Sequence, residues 1–260
     1  MDKEILEQLN NLNEDDDKDN LPDRQLTVRV LKILQALLFP DYFHFCSLSD
    51  PEVLLKMVRE ELAGQIELAY QISHQQGNAS QIVEEYLQML PQIKKLLLTD
   101  IQAIYDGDPA ATSKQEVIIT YPGFYAILAY RLAHGLYQLK VPIIPRIMTE
   151  YVHGKTGIDI NPGATIGEYF CIDHGTGIVI GETAVLGHHV KLYQGVTIGA
   201  RSFKMDENGL PIKGGKRHPN IGNNVVIYAN ATILGGDTYI PDNMVVGGNS
   251  WIIHSPENKQ

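Results

Sequence analysis

The sequence predicts an α+β protein in which an N-terminal helical domain precedes a parallel β-helix of hexapeptide repeats. Two observations carry this prediction. Residues 1–153 hold only 5 of the 23 glycines, so glycine is concentrated in the second part of the chain. Apolar residues recur at three- and four-residue spacing in the first part and at every sixth residue in the second. These are the periods of amphipathic helices and of a β-helix.

The first part of the chain has the periodicity of helices. Asp50 and Pro51 form a helix-start signature, because Asp caps free amide groups and proline fits the first helical position. The two prolines in Val141–Pro145 predict the end of helical structure, since proline lacks an amide proton and clashes with the preceding turn. Helical spacing is present in four segments, which are residues 26–38, 53–72, 81–105 and 124–139.

In the glycine-rich part, two series of positions spaced six residues apart contain only apolar residues. A strand has a period of two residues and a helix of 3.6, so neither explains a regular spacing of six residues. Hexapeptide repeats mark a β-helix, in which each short side of a prism contributes one inward residue and small residues turn the corners. In known hexapeptide proteins the coil is left-handed. The registers are Ile160, Ile166, Ile172, Ile178, Ala184, Val190 and Val196, and then Ile221, Ile227, Ile233, Tyr239, Val245 and Trp251.

The two registers do not join, since Val196 and Ile221 are 25 residues apart, one more than a multiple of six. We expect the polar segment 201–216 to leave the prism as a loop. Between Arg201 and His218 there are five Lys or Arg residues against two acidic residues, on a chain of net charge −10. A solvated surface loop is one interpretation, and an anion-binding arm, which we favour, is the other.

These patterns divide the chain into four parts. The high negative charge of the first part favours a solvated, disordered segment, and the last part is a short tail. The predicted parts are an acidic segment at 1–23, a helical domain at 24–145, a β-helix domain at 146–255 with the loop 201–216, and a tail at 256–260.

Composition limits the partners and the cellular compartment that we expect for the protein. The acidic balance and the lack of clustered Lys and Arg argue against nucleic acid as a partner. No apolar stretch approaches the 18 residues of a membrane span, and the polar, acidic start does not resemble a secretory signal. Two distant cysteines suit a reducing compartment. We therefore expect a cytoplasmic protein without a membrane partner.

Two residues of the repeat region can cooperate chemically. Asp159 precedes His174 by 15 residues, and one coil of three hexads has about 18 residues. The two side chains could therefore lie on adjacent coils near one corner. A carboxylate beside an imidazole supports it as a general base. Such a pair would activate a hydroxyl supplied by a substrate, whereas a purely structural histidine is the alternative.

Other polar residues have ordinary structural interpretations. Arg217 and His218 follow the loop, where Arg217 could bind a carboxylate or phosphate or form a salt bridge. Asp108 precedes a proline, as a helix cap would. Adjacent His188 and His189 cannot easily reach one ion from a flat β-helix face, so no metal site is expected.

Five segments of the chain match one known family. They are the run Gly157–Ala200 with its DHGTG element, RHP at 217–219, ILGG at 233–236, DPAA at 108–111 and YPGFYAILAYRLAH at 121–134. Taken together, these segments resemble the serine O-acetyltransferases, members of the hexapeptide-repeat acyltransferase family. The resemblance implies acetyl transfer from acetyl-CoA to the hydroxyl of L-serine, giving O-acetyl-L-serine for cysteine biosynthesis, without a covalent enzyme intermediate. It also implies a homotrimer or a dimer of trimers.

The resemblance also implies a role for each site residue. His174 matches the general base and Asp159 its orienting carboxylate. The remaining residues bind substrates: Asp108 and Asp173 match the acids that hold the serine ammonium, Arg217 with His218 the group that holds its carboxylate, and Ala200, Ala229 and Lys216 the contacts of CoA.

Alternatives remain at this point. One alternative is a hexapeptide acyltransferase that acts on a sugar or on another amino acid; a sugar would not need both Asp108 and Arg217, because it has no ammonium and carboxylate to bind. The other alternative is a non-catalytic scaffold, which would leave the pairing of Asp159 with His174 unexplained. In the family, a terminal isoleucine docks O-acetylserine sulfhydrylase. This chain ends in Ser-Pro-Glu-Asn-Lys-Gln without that isoleucine, so docking of the sulfhydrylase is not expected.

Overall fold

The computed structural model describes residues 3, 5–7, 21–45, 50–202, 205–212 and 214–256. Most of the predicted segment 1–23 and all but the first residue of the tail 256–260 lie outside these described residues. Positions 203, 204 and 213 of the loop 201–216 lie outside them too.

From residue 21 on, helices come first. The side chain of Asp50 accepts a hydrogen bond from the Glu52 amide at 2.9 Å, and Pro51 is the first helical residue, which confirms the predicted helix start. None of the helices in the described ranges is long and apolar enough to cross a membrane. The helices are α1 (Arg24–Leu38), α2 (Pro51–Ile72), α3 (Ala79–Gly107), α4 (Lys114–Thr120), α5 (Pro122–Gln138) and α6 (Ile144–Thr156).

Helix α5 is the centre of the helical part. Apart from Tyr125 and His134, all of its residues from Gly123 to Leu136 are buried. A helix with so little exposed surface is surrounded by neighbours, and α5 packs against α1, α3, α4 and α6. The hydroxyl of Tyr130 on α5 donates to the carbonyl of Ala164 at 2.6 Å, so this helix also contacts the strand region.

The expected end of helical structure at Val141–Pro145 is wrong, because α6 begins there at Ile144. Pro145 lies in the first turn of α6. In a first turn the amide of proline would have no intrahelical partner, and its fixed φ suits the helix. The prolines therefore separate α5 from α6 and open a new helix.

The strands wind into a parallel β-helix with three faces. The first face has five strands and the others have four, and all neighbouring strands are parallel. The first face holds β1 (Asp159–Ile160), β4 (Val179–Ile180), β7 (Thr197–Gly199), β10 (Thr232–Leu234) and β13 (Trp251–Ile252). The second holds β2 (Thr165–Ile166), β5 (Val185–Leu186), β8 (Asn220–Ile221) and β11 (Tyr239–Ile240). The third holds β3 (Cys171–Ile172), β6 (Lys191–Leu192), β9 (Val226–Ile227) and β12 (Val245–Val246).

The first coil is two residues longer than the expected 18. Asp159 pairs with Val179, a step of 20 residues, whereas Val179 pairs with Thr197, a step of 18. The extra residues lie in the corner after β3, which contains Asp173 and His174. The first register stays apolar across this insertion because each side buries two residues two positions apart, such as Ile178 and Ile180.

The prediction that the second register points inward is wrong for its last three residues. Tyr239, Val245 and Trp251 are exposed, and Trp251 retains 69 % of its accessible surface. Ile240 and Val246 point inward instead. One residue is inserted between β10 and β11, and a shift by one position moves a strand residue to the opposite face.

A buried ion pair joins the helical part to the β-helix. Arg131 on α5 forms a bidentate ion pair with Asp100 on α3. Its Nε donates to Oδ2 and its Nη2 to Oδ1 of the carboxylate, each at 3.0 Å. Arg131 also donates to the carbonyls of Ile166 and Gly167, and Asp100 accepts from the amide of Phe170. Every guanidinium nitrogen of Arg131 and both carboxylate oxygens of Asp100 therefore have a hydrogen-bond partner, as a buried pair requires. This junction fixes α3 and α5 against the first coil.

Candidate active site

One corner of the prism collects acidic groups from both parts of the chain. We define the acidic corner as Asp108, Asp173, His174 and Lys191. Asp173 and His174 lie where the third face turns into the first, and Asp108 follows the last residue of α3. Lys191 begins β6 on the third face. Its ammonium group lies 3.0 Å from Oδ2 of Asp173.

Asp108 is held as a carboxylate at the end of α3. The Tyr121 hydroxyl donates to its Oδ2 at 2.6 Å, and the Ala110 amide donates to its Oδ1 at 2.8 Å. These hydrogen bonds stabilise the charged form and keep the pKa of Asp108 below its usual value. Asp108 does not cap the following helix, because Ser113 is the N-cap of α4.

His174 faces solvent at this corner. Its side chain is 74 % exposed, and its Nε2 lies 3.7 Å from Oδ1 of Asp173. An exposed imidazole can reach a substrate without moving other groups. His174 therefore points outward from the prism.

Asp159 lies on the first face in a different environment. Its Oδ1 is 3.7 Å from the guanidinium of Arg146 on α6, and its amide donates to the carbonyl of Ile178. No hydrogen bond joins Asp159 to His174 among the described residues, so their pairing remains a prediction. Glu150 and His153 lie next to Asp159. Because Arg146 contacts the carboxylates of both Glu150 and Asp159, this cluster is an ion-pair network.

A second corner, between the first and second faces, collects basic groups. We define the basic corner as Glu182, Thr183, Lys216, Arg217 and His218. The guanidinium of Arg217 contacts the Glu182 carboxylate, which also accepts from the hydroxyl of Tyr137 at 3.2 Å. The ammonium of Lys216 donates to the carbonyl of Thr183 at 2.6 Å. The segment after the loop is thereby fixed to the turn between β4 and β5.

His218 is the buried member of the basic corner. Its Nδ1 accepts from the amide of Thr183 at 3.0 Å, which requires an unprotonated Nδ1. Burial, and then the nearby charge of Arg217, lower the pKa of His218 to about 4. The ring fits only because residue 181 is glycine, since a Cβ there would lie 2.1 Å from the imidazole.

The residues predicted to contact CoA are divided between the corners. Ala200 directly follows β7, and Lys216 precedes Arg217, so both lie at the basic corner. Ala229 lies between β9 and β10, on the same edge of the prism as His174. An open cleft of about 550 Å³ at the basic corner is lined by Arg201, Lys216 and Arg217, among others.

The structure therefore brings the predicted residues together in two groups. Asp108, Asp173 and His174 share the acidic corner, and Arg217 and His218 share the basic corner. Residues 175–181, which include strand β4 of the first face, separate the two corners within one chain.

Comparison with known proteins identifies the family. The family model described as "Serine acetyltransferase, N-terminal" matches residues 52–129. A curated relative from Synechococcus elongatus, "Serine acetyltransferase, plasmid", is 42 % identical over 258 residues, covering 90 % of this chain and 79 % of that protein. The chain belongs to the serine acetyltransferase family.

Other similar proteins agree with this assignment. The serine acetyltransferase of Bacillus subtilis is 42 % identical over 160 residues, 62 % of this chain and 69 % of that protein. The crystal structure of Entamoeba histolytica serine acetyltransferase 1 in complex with L-cysteine has a TM-score of 0.78 at 38 % identity, covering 87 % of this chain and 83 % of the other. A serine acetyltransferase in complex with CoA has a TM-score of 0.59 at 26 % identity, covering 90 % and 94 %.

Membership in the serine acetyltransferase family confirms several predictions. The fold is the expected helical part followed by a left-handed parallel β-helix. The chain is an acyltransferase that moves the acetyl group of acetyl-CoA to L-serine in cysteine biosynthesis. Sequence reasoning missed Lys191 and Tyr121, which contact the predicted acids. Both lie in segments that carry the resemblance, but their contacts with Asp108 and Asp173 join residues that are distant in the sequence and arise only in the fold.

Proposed function

We propose that His174 is the general base of the serine acetyltransferase reaction. It takes the proton of the serine hydroxyl while that oxygen attacks the thioester carbonyl of acetyl-CoA. The C–S bond of the tetrahedral intermediate then breaks, and the CoA sulfur takes up the proton from the imidazolium. The observation that carries this proposal is the cluster in which an exposed His174 lies beside Asp173 and Asp108. A positioned base of this kind contributes about 10²–10⁴-fold to the rate.

The two acids of the acidic corner suit the ammonium group of serine. Asp108 and Asp173 both offer carboxylate oxygens next to His174, and charge-assisted hydrogen bonds to an ammonium are strong and directional. We assign Asp159 to orienting the imidazole, with Arg146 as its present ion-pair partner. Such binding places the serine hydroxyl beside the base.

The basic corner suits the carboxylate of serine and the phosphates of CoA. Arg217 offers a planar guanidinium, which fits a carboxylate, and its neighbour His218 lies beside it. Lys216, with Ala200 and Ala229, is assigned to CoA, whose phosphates suit the basic cleft beside the loop.

We propose that the complete site lies between two copies of the chain. The ammonium and carboxylate of serine are attached to the same Cα atom, whereas the acidic and basic corners of one chain are separated by a face of the prism. A ring of three copies would set the acidic corner of one against the basic corner of the next. In this arrangement residues 24–145 contribute Asp108 and oligomer contacts, and residues 146–255 form the acyltransferase domain. The proposed setting is the cytoplasm.

Mixed oligomers test this proposal directly. His174→Ala and Arg217→Ala chains carry different affinity tags, are co-expressed, and are purified through both tags. Each variant alone should be nearly inactive at low serine concentration. A mixed trimer contains one intact site of three, so about a third of the activity of the unmodified enzyme should return.

The control pairs His174→Ala with Asp108→Ala. Both changes damage the acidic corner, so mixed oligomers should contain no intact site and recover nothing. If the His174→Ala and Arg217→Ala mixture stays inactive, the site is not shared between copies. If His174→Ala alone retains full turnover, His174 is not the base.

A further inference from the structure

Lys191 is an enclosed cation in the acidic corner. It occupies an outward position on the third face, yet its side chain is only 16 % exposed. Its ammonium donates to the carbonyl of Gly107 at 2.7 Å, lies 3.0 Å from Oδ2 of Asp173, and lies 4.5 Å from the centre of the Tyr193 ring. These three contacts fix the position of the charge.

One contact of Lys191 lies at the end of a helix. Gly107 is the last residue of α3, and the last turn of α3 contains no basic residue of its own. The final carbonyls of a helix lack intrahelical partners and carry partial negative charge, which a cation stabilises. Lys191 supplies that cation from the β-helix. It therefore holds the chain next to Asp108, which follows Gly107 directly.

The other contact orients Asp173. Lys191 engages Oδ2, and Oδ1 of the same carboxylate is the oxygen nearer to His174. Two carboxylates that share a site repel each other, and a cation beside them removes part of that repulsion. Lys191 also acts electrostatically on Asp108. A single ammonium thus serves both acids without occupying the oxygen that faces His174.

We propose that Lys191 is a positioning residue for L-serine, which fixes the spacing of Asp108 and Asp173 so that the substrate ammonium fits between them. This inference rests on the proposed roles of those two acids. In this proposal Lys191 holds the two acids and takes no part in the chemical step. Its removal should weaken serine binding and leave acetyl-CoA binding intact.

The test compares steady-state constants of Lys191→Met, Lys191→Arg and Lys56→Met. Lys56 lies on α2 with a side chain that is 74 % exposed and serves as the matched control. We expect Lys191→Met to raise the KM for serine about tenfold, with the KM for acetyl-CoA unchanged. Lys191→Arg keeps the charge and should recover most of the loss. Lys56→Met should match the unmodified enzyme.

Two results would overturn the role of Lys191. One is an unchanged serine KM in a folded Lys191→Met protein, and the other is an equal rise in both KM values, which indicates a general structural defect. Thermal unfolding monitors folding, and Lys191→Gln replaces Lys191→Met if the latter does not fold. Asp108→Ala separates the two proposals: if it raises the serine KM and the Lys191 variants do not, only the role of Lys191 fails. If Asp108→Ala also has no effect, the proposed serine site fails.

Discussion

The two corners that border the first face differ in how they are built. The acidic corner joins the helical part to the β-helix, since Asp108 follows α3 and Asp173 lies on the first coil. The basic corner lies within the β-helix and its loop, and one helix side chain, Tyr137, reaches it. In the proposed site, the ammonium of serine binds at the acidic corner and its carboxylate at the basic corner. The helical part, which supplies Asp108, would then contribute to substrate binding as well as to folding.

The histidines of the two corners also differ. His174 is exposed to solvent, and its Nε2 lies 3.7 Å from Oδ1 of Asp173. His218 retains 7 % of its surface and accepts hydrogen bonds from Thr183, so it is held in its neutral form. The two histidines at the two corners thus differ in exposure and in hydrogen bonding. Variants of each histidine can test this difference.

The largest effect is expected for His174→Ala. Loss of the proposed base should lower kcat for L-serine acetylation about a thousandfold, because the hydroxyl oxygen remains protonated as it attacks. Release of the CoA thiol with acetyl-CoA and serine measures the rate. The stability of the protein should not change, since the exposed ring packs against little.

His189→Ala is the matched control for His174→Ala. His189 is also an exposed corner histidine, and its ring stacks on Tyr169 at 4.3 Å, away from both corners of the site. This variant should keep its kcat. A similar loss of kcat in both variants would show that corner histidines affect the fold and that the contrast with His218 is not chemical.

An intermediate effect is expected for Asp108→Ala. Removal of one of the two carboxylates should raise the KM for serine about thirtyfold, or about 2 kcal/mol, with a small change in kcat. Initial rates over a range of serine concentrations give both constants. Asp106→Ala is the control, because Asp106 lies two residues earlier and contacts Gln102. Equal KM values for the two variants would limit Asp108 to ordering the turn with Ala110.

The fold was largely predictable because burial imposes a period on the sequence. The register from Ile160 survived an insertion of two residues, since two positions per side point inward. The register from Ile221 failed at Tyr239, because an insertion of one residue reverses the faces. A hexad count cannot distinguish the two cases when the exposed residues are apolar as well.

The site was predictable only where motifs carried it. Asp173 and His174 are adjacent in a recognisable motif, whereas Lys191 and Gly107 are 84 residues apart and meet only in the folded protein. The ion pair of Arg131 and Asp100 was missed for the same reason. The two corners lie on different edges of the prism. The sequence pattern does not show on which edge of the prism each turn lies.

The smallest effect is expected for the contribution of His218 to the free energy of unfolding at acidic pH. Burial, followed by the charges of Arg217 and Lys216 against that of Glu182, gives His218 a pKa of about 4, below the ordinary 6.5. The unfolded chain therefore binds a proton at this residue between pH 6.5 and 4 that the folded chain does not. The free energy of unfolding should fall as the pH decreases through this window. His218→Asn keeps an acceptor near the position of Nδ1 and should flatten this part of the profile, measured by urea unfolding, whereas His254→Asn should not. If both variants keep the full slope, other groups cause the acid sensitivity, and the buried histidine does not distinguish the basic corner energetically.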